Sequence, residues 1–200
     1  MIYAAHPTSD RPPATVILAH GAGAGQTHPF MTAVARGLSE RGVDVFTFDF
    51  PYMQQRRKMP DRMPQLVACY RAAIDKARED FGSARQRLFI GGKSMGGRSA
   101  THVAADDPDL PIKGIVLLGY PLHPPGRPDQ LRDAHLSNVK RPMLFVQGTR
   151  DTFGTPDELR PVLAKLSPTP TLYEVEREGH SFKIDDHILT TIVDWIARTG

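Results

Sequence analysis

The stretch Gly91-Gly92-Lys93-Ser94-Met95-Gly96-Gly97 constrains this chain more than any other. An apolar run, Leu88-Phe89-Ile90, leads into it, and small residues, Gly97-Arg98-Ser99-Ala100, lead out in the manner of a helix start. A strand, a sharp turn and a helix around G-x-S-x-G form a nucleophile elbow, which holds the serine in a strained conformation with its hydroxyl exposed. Strand and helix then lie so close that a Cβ two residues to either side of the serine would collide, which is why glycine suits positions 92 and 96.

The chain around this stretch alternates strand and helix signals. Thr15–Ala19, Val43–Phe48, Arg87–Gly91, Ile112–Leu118, Met143–Gln147 and Leu172–Val175 read as short strands, several of them unbroken apolar runs. Strands buried on both faces need such runs. Phe30–Arg41, Gln65–Phe81, Met95–Ala105, Pro156–Leu166 and Ile184–Arg198 read as helices, and a short helix is expected over Asp129–Leu136. The pattern predicts an α/β fold, a mostly parallel sheet of about six to seven strands with helices on both faces. Sites in such sheets form at the carboxyl ends of the strands. Residues 1–13 are a polar lead-in, and 1–200 is expected to be one domain, since 200 residues at 40% hydrophobic content suit a single core.

Composition removes several classes of function. One cysteine, Cys69, permits neither an internal disulfide nor a multi-cysteine metal site, and it reads as a core residue of its helix. No metal ligand set and no organic cofactor are implied. The net charge of +3 is modest, and its basic cluster, Arg56-Arg57-Lys58, lacks the aromatic interleaving of a nucleic-acid surface. No apolar run reaches membrane-spanning length and no signal pattern opens the chain, so the expectation is a soluble cytoplasmic protein without membrane or nucleic-acid partners. Oligomeric state is left open.

A serine hydroxyl becomes a useful nucleophile when a base takes its proton and a third group orients that base. Asp151 follows the strand Met143–Gln147, and His180 lies in Glu178-Gly179-His180-Ser181-Phe182 between the last strand and the last helix. Serine, aspartate, histidine is the chain order of α/β-hydrolases. Two backbone N–H groups are then needed for the oxyanion. Met95, after the nucleophile, supplies one, and Ala22 of the His20-Gly21-Ala22-Gly23 loop is the choice for the other. His20 is expected to prop that loop.

With elbow, His-Gly loop and residue order together, the chain resembles the dienelactone hydrolase-like side of the α/β-hydrolase superfamily. More narrowly it is similar to a small hydrolase-like family that includes a testis-expressed protein and a subunit domain of the nonspecific-lethal acetyltransferase complex. That similarity rests on Gly91–Arg98, Gly119-Tyr120-Pro121-Leu122-His123-Pro124 and Pro142–Gly148, and it spans nearly everything from Thr15 onward. Dienelactone hydrolases use a cysteine where Ser94 stands, so lactone specificity does not carry over.

The resulting expectation is a serine hydrolase that cleaves a small-molecule carboxylic ester or thioester through an acyl-enzyme. The alternative is a catalytically silent binding or scaffold protein of the same fold. Gly21-x-Gly23 imitates a dinucleotide fingerprint, but its third glycine would fall at Gln26; Gly92-Lys93-Ser94 imitates a P-loop whose first glycine would fall at Arg87. The insertion site of a lid holds only the proline-rich loop after Leu118, so no separate lid domain is expected. Tyr120 and His123 on that loop, with Tyr52 on its neighbour, are the expected substrate-binding rim, suited to acyl groups of acetyl to butyryl length. Arg56, Arg57 and Lys58 could attract an acidic leaving group such as a coenzyme A thioester.

Overall fold

The computed structural model describes residues 1–4 and 14–199. Most of the expected lead-in thus lies outside the described residues. Among the described residues, seven strands form one sheet: β1 (Ile2–Tyr3), β2 (Ala14–Ala19), β3 (Val43–Phe48), β4 (Leu88–Lys93), β5 (Gly114–Leu118), β6 (Met143–Gly148) and β7 (Thr171–Val175). Their order is β1-β3-β2-β4-β5-β6-β7. Only β1 runs antiparallel, pairing Ile2 with Phe46. The rest are parallel, with Ala19 opposite Phe48 on one side and Gly92 on the other.

Among the described residues, seven α-helices cover the sheet: α1 (Pro29–Ser39), α2 (Pro51–Gln54), α3 (Met63–Asp80), α4 (Gly82–Gln86), α5 (Met95–Asp106), α6 (Pro156–Leu163) and α7 (Asp186–Arg198). The strand side chains divide by parity. Val16 and Leu18 of β2 pack with Met31 and Val34 of α1 and with Ile192 and Ile196 of α7. Ile17 and Ala19 face α3, α5 and α6 through Tyr70, Ala100 and Leu159. Covering both faces favours near-continuous apolar runs, and β2, β4, β5 and β6 are buried throughout.

Local signals set the helix ends. Thr155 and Glu158 form a reciprocal capping box at α6, with Pro156 in its first turn. Asp185 accepts the Ile188 N–H at 2.8 Å to start α7. Two expectations differ from the structure. The short helix over Asp129–Leu136 is only a 3₁₀ turn at Leu136–Asn138, because proline and glycine upstream give the loop turns of its own. Tyr52, expected on a loop, lies inside α2, which starts at Pro51. Cys69 is partly buried against the core.

The order of the strands positions the site. After β2 the chain steps to β3 on one side, and β4 then lies on the other. The loops after β2 and β4 therefore diverge across a crevice at the carboxyl edge, the switch point where α/β sheets hold ligands.

Candidate active site

Ser94 sits between the end of β4 and the start of α5, with φ 51° and ψ −115°. A non-glycine residue there costs on the order of 1–3 kcal/mol, so the surroundings must impose it. They do so through backbone contact. The Ser94 N–H donates to the Leu118 carbonyl at 3.0 Å. A Cβ on Gly92 or on Gly96 would stand 2.2 Å from the Ala19 carbonyl oxygen. The two glycines are thus needed against the neighbouring strand β2, whereas the sequence suggested a clash between strand and helix within the elbow.

His180 joins this turn from the loop between β7 and α7. Its Nε2 lies 2.9 Å from Ser94 Oγ and its Nδ1 2.8 Å from Asp151 Oδ2. Asp151 is fully buried just past β6. It accepts from the Phe153 N–H and from Gln147 Nε2, both at 2.8 Å. The carboxylate is acceptor-only, so Nδ1 carries the proton and Nε2 is the acceptor toward the serine hydroxyl.

Two groups that the sequence reading passed over hold this arrangement. Gln147, buried in β6, donates to Asp151 and to the Gly154 carbonyl (2.6 Å), and accepts the Tyr120 N–H at 2.8 Å. A glutamine closing the apolar run Met143–Val146 was the available signal, since a buried amide must find partners. Lys93 is the other. Its side chain is buried, its Nζ donates to the His180 carbonyl, and it lies 5.2 and 5.0 Å from the ring centroids of Phe30 and Phe182. Burial pushes its pKa down to about 8.

The loop after β2 brings Gly21 and Ala22 to the same cleft as Ser94 and Met95. Met95 opens α5, so its N–H has no acceptor within the helix. His20 is buried beneath the loop, with Nε2 accepting the Phe50 N–H at 3.1 Å and Nδ1 2.7 Å from the Gly21 carbonyl. Nδ1 is therefore the protonated nitrogen, and burial holds the ring pKa below its usual value. His20 props the loop in this structure.

Tyr52, Tyr120 and His123, expected as rim residues, do not line the cleft. Tyr52 is fully buried; its hydroxyl donates to the Ala22 carbonyl at 2.9 Å, and burial pushes its pKa up to about 12. Tyr120 is buried, with its hydroxyl donating to the Arg132 carbonyl at 2.8 Å. His123 is buried 3.3 Å from Glu158. Their tertiary partners lie inward, so all three support the loops from below. The walls are instead Phe30, Met63, Leu66, Phe153 and Phe182, and the Phe153 ring packs against the His180 ring, tilted by 33° with centroids 4.2 Å apart.

The cleft has a volume of about 980 Å³. Sites that bury a drug-sized ligand span about 300–1,000 Å³. Of the proline-rich loop only Pro121 and Arg132 line the cleft, so that loop is not the main wall beside the serine. Arg56, Arg57 and Lys58 are exposed and off the cleft, and Arg57 is paired with Asp61 at 2.5 Å. No helix among the described residues is long and apolar enough to cross a membrane.

The fold has many solved counterparts. A lidless α/β serine hydrolase from Xanthomonas campestris aligns with a TM-score of 0.73 at 21% identity, covering 98% of this chain and 84% of that one. A monoacylglycerol lipase from Paleococcus ferrophilus gives 0.74 at 17% identity over 98% and 97% of the two chains. A dienelactone hydrolase from Anabaena variabilis gives 0.71 at 21% identity over 98% and 87%. At these identities the likeness is one of fold. The sequence itself matches the alpha/beta hydrolase domain family across residues 12–198, and the chain belongs to that family.

Proposed function

We propose that this protein is a serine hydrolase that cleaves carboxylic ester or thioester bonds through an acyl-enzyme on Ser94. The observation that carries the reading is the continuous hydrogen-bonded line from buried Asp151 through His180 to Ser94 Oγ at the floor of the cleft. His180 Nε2 takes the hydroxyl proton as Oγ attacks the carbonyl, and Asp151 stabilises the imidazolium that forms. The N–H groups of Met95 and Ala22 stabilise the oxyanion, each typically worth about 2.7–4 kcal/mol. His180 then passes the proton to the leaving alcohol or thiol. A water, deprotonated by the same nitrogen, releases the acid in the second half.

The size of the cleft supports a small-molecule substrate, and the scheme calls on no metal. Within the family, the similarity of Gly91–Arg98 and Pro142–Gly148 to the small hydrolase-like group with testis-expressed and nonspecific-lethal complex members supports placement there. A scaffold would have no use for a strained serine at φ 51° bonded to a buried histidine–aspartate pair. The reading is tested by labelling with a fluorophosphonate probe. Labelling of the wild type that is lost in Ser94→Ala supports it, and a wild type that never labels overturns it.

A further inference from the structure

Arg98 lies one helical turn beyond Ser94, its N–H donating to the Ser94 carbonyl at 3.0 Å, and its side chain lines the cleft. Its Nε is buried without a hydrogen-bond partner. Arg132 lines the same cleft from the loop after β5. Its backbone is held at both polar groups: the N–H donates to the Leu122 carbonyl at 2.7 Å, and the carbonyl accepts from the Tyr120 hydroxyl at 2.8 Å. Neither guanidinium is engaged by a carboxylate among the described residues.

An arginine at a protein surface ordinarily finds either water on all sides or an acid. Here two half-buried cations line one cleft, and Arg132 is near enough to raise the cost of the Arg98 charge. Burial pushes the Arg98 pKa down, and Arg132 adds to the effect. Among the described residues no carboxylate offsets the burial of Arg98, and Asp61, which also lines the cleft, is paired with Arg57. Next to Arg98, His102 stacks on His135 with centroids 3.7 Å apart. Burial, with Arg98 adding to it, keeps both rings below the usual histidine pKa, so they stay neutral.

A planar guanidinium fork suits a carboxylate or phosphate held by parallel N–H donors. We infer that Arg98 and Arg132 form a subsite for an oxyanion carried by the substrate, a carboxylate or a phosphate monoester, one helical turn from the serine that attacks the ester. The subsite deepens the hydrolase reading and rests on it.

The experiment compares mono-p-nitrophenyl glutarate with p-nitrophenyl pentanoate, similar in length and leaving group and different in charge. At low ionic strength the wild type should favour the anionic ester by about 10- to 100-fold in kcat/KM, the range that charge-assisted hydrogen bonds give. Arg98→Gln and Arg132→Gln should each bring the ratio toward one. Arg98→Lys keeps the charge without the fork and should fall between, which also covers a glutamine variant that does not fold. Inhibition of pentanoate hydrolysis by free glutarate and by methyl phosphate separates the two oxyanions. Equal kcat/KM for the two esters, or a preference that persists in both glutamine variants, overturns the subsite. If neither ester is cleaved, the failure belongs to the hydrolase reading. The subsite is then read by melting temperature: a rise with glutarate, absent with glutaramide and in Arg132→Gln, supports it, and no rise overturns it.

Discussion

At the scale of single residues, the bonds around His180 carry the sharpest consequences. Ser94→Ala and His180→Ala are each expected to lower kcat by several orders of magnitude, and the double variant should lose little more, because the residues act as a unit. Steady-state kinetics on p-nitrophenyl esters measure this, and near-wild-type activity in His180→Ala would remove the triad. Asp151→Asn should cost about 10⁴ in kcat, since an amide facing Nδ1 selects the wrong tautomer. Gln147→Leu is a finer probe. It leaves the Tyr120 N–H and the Gly154 carbonyl without their amide partner and strips one donor from Asp151. Each buried group left unpaired costs on the order of 1–3 kcal/mol, so urea unfolding should show a loss of at least that size together with reduced kcat. A variant as stable and as active as wild type would show that Gln147 supports nothing.

Among elements, the contact of α3 with the sheet is held by a side chain that replaces strand-like bonding. The Tyr70 hydroxyl reaches from α3 to the Gly91 N–H at 2.9 Å and to the Ile17 carbonyl at 2.9 Å, bridging β2 and β4 just before the elbow. Burial pushes its pKa far up, as expected for a hydroxyl with no access to water. Tyr70→Phe keeps the packing and removes the bridge. The expected loss is about 1–3 kcal/mol in urea unfolding, and an unchanged midpoint would mean that these backbone groups find water or another partner. The helix periods of α1, α3 and α7 were legible from apolar spacing alone. The break between α3 and α4, and the failure of a helix at Asp129–Leu136, were not, because they depend on where the chain must turn to meet the sheet.

For the molecule as a whole, the buried lysine couples stability to pH. Lys93 has a pKa of about 8 in the fold against an ordinary 10.5. Between those values the unfolded chain binds more protons than the folded one, so stability rises with pH through this window. Below about pH 8 the cost of burying the charge is fully present, on the order of 3 kcal/mol if nothing else relaxes. Tyr52 acts with the opposite sign, but only as pH climbs above 10 toward its own value of about 12. The check is the difference in urea unfolding free energy between wild type and Lys93→Met at pH 7.5 and pH 9.5. The advantage of the methionine variant should shrink with pH, and a constant difference would contradict the shift.

Sequence alone determined the sheet, its helical cover and the three residues that meet at its carboxyl edge. The reason is local: buried parallel strands need apolar runs, helices need a 3.6-residue period, and an elbow needs glycines beside its serine. Each of those demands is written in a few consecutive residues. Tertiary structure decided what no short stretch encodes. It set Gly92 and Gly96 against Ala19 on another strand, put Gln147 under Asp151, and drew Lys93 between Phe30 and Phe182. It also turned Tyr52, Tyr120 and His123 inward, because their polar ends found backbone carbonyls and a carboxylate beneath the loops. The walls of the cleft come from α1, α3 and the loops after β6 and β7, segments far apart in the chain. Their meeting depends on the order in which the strands lie, and strand order is a property of the folded sheet.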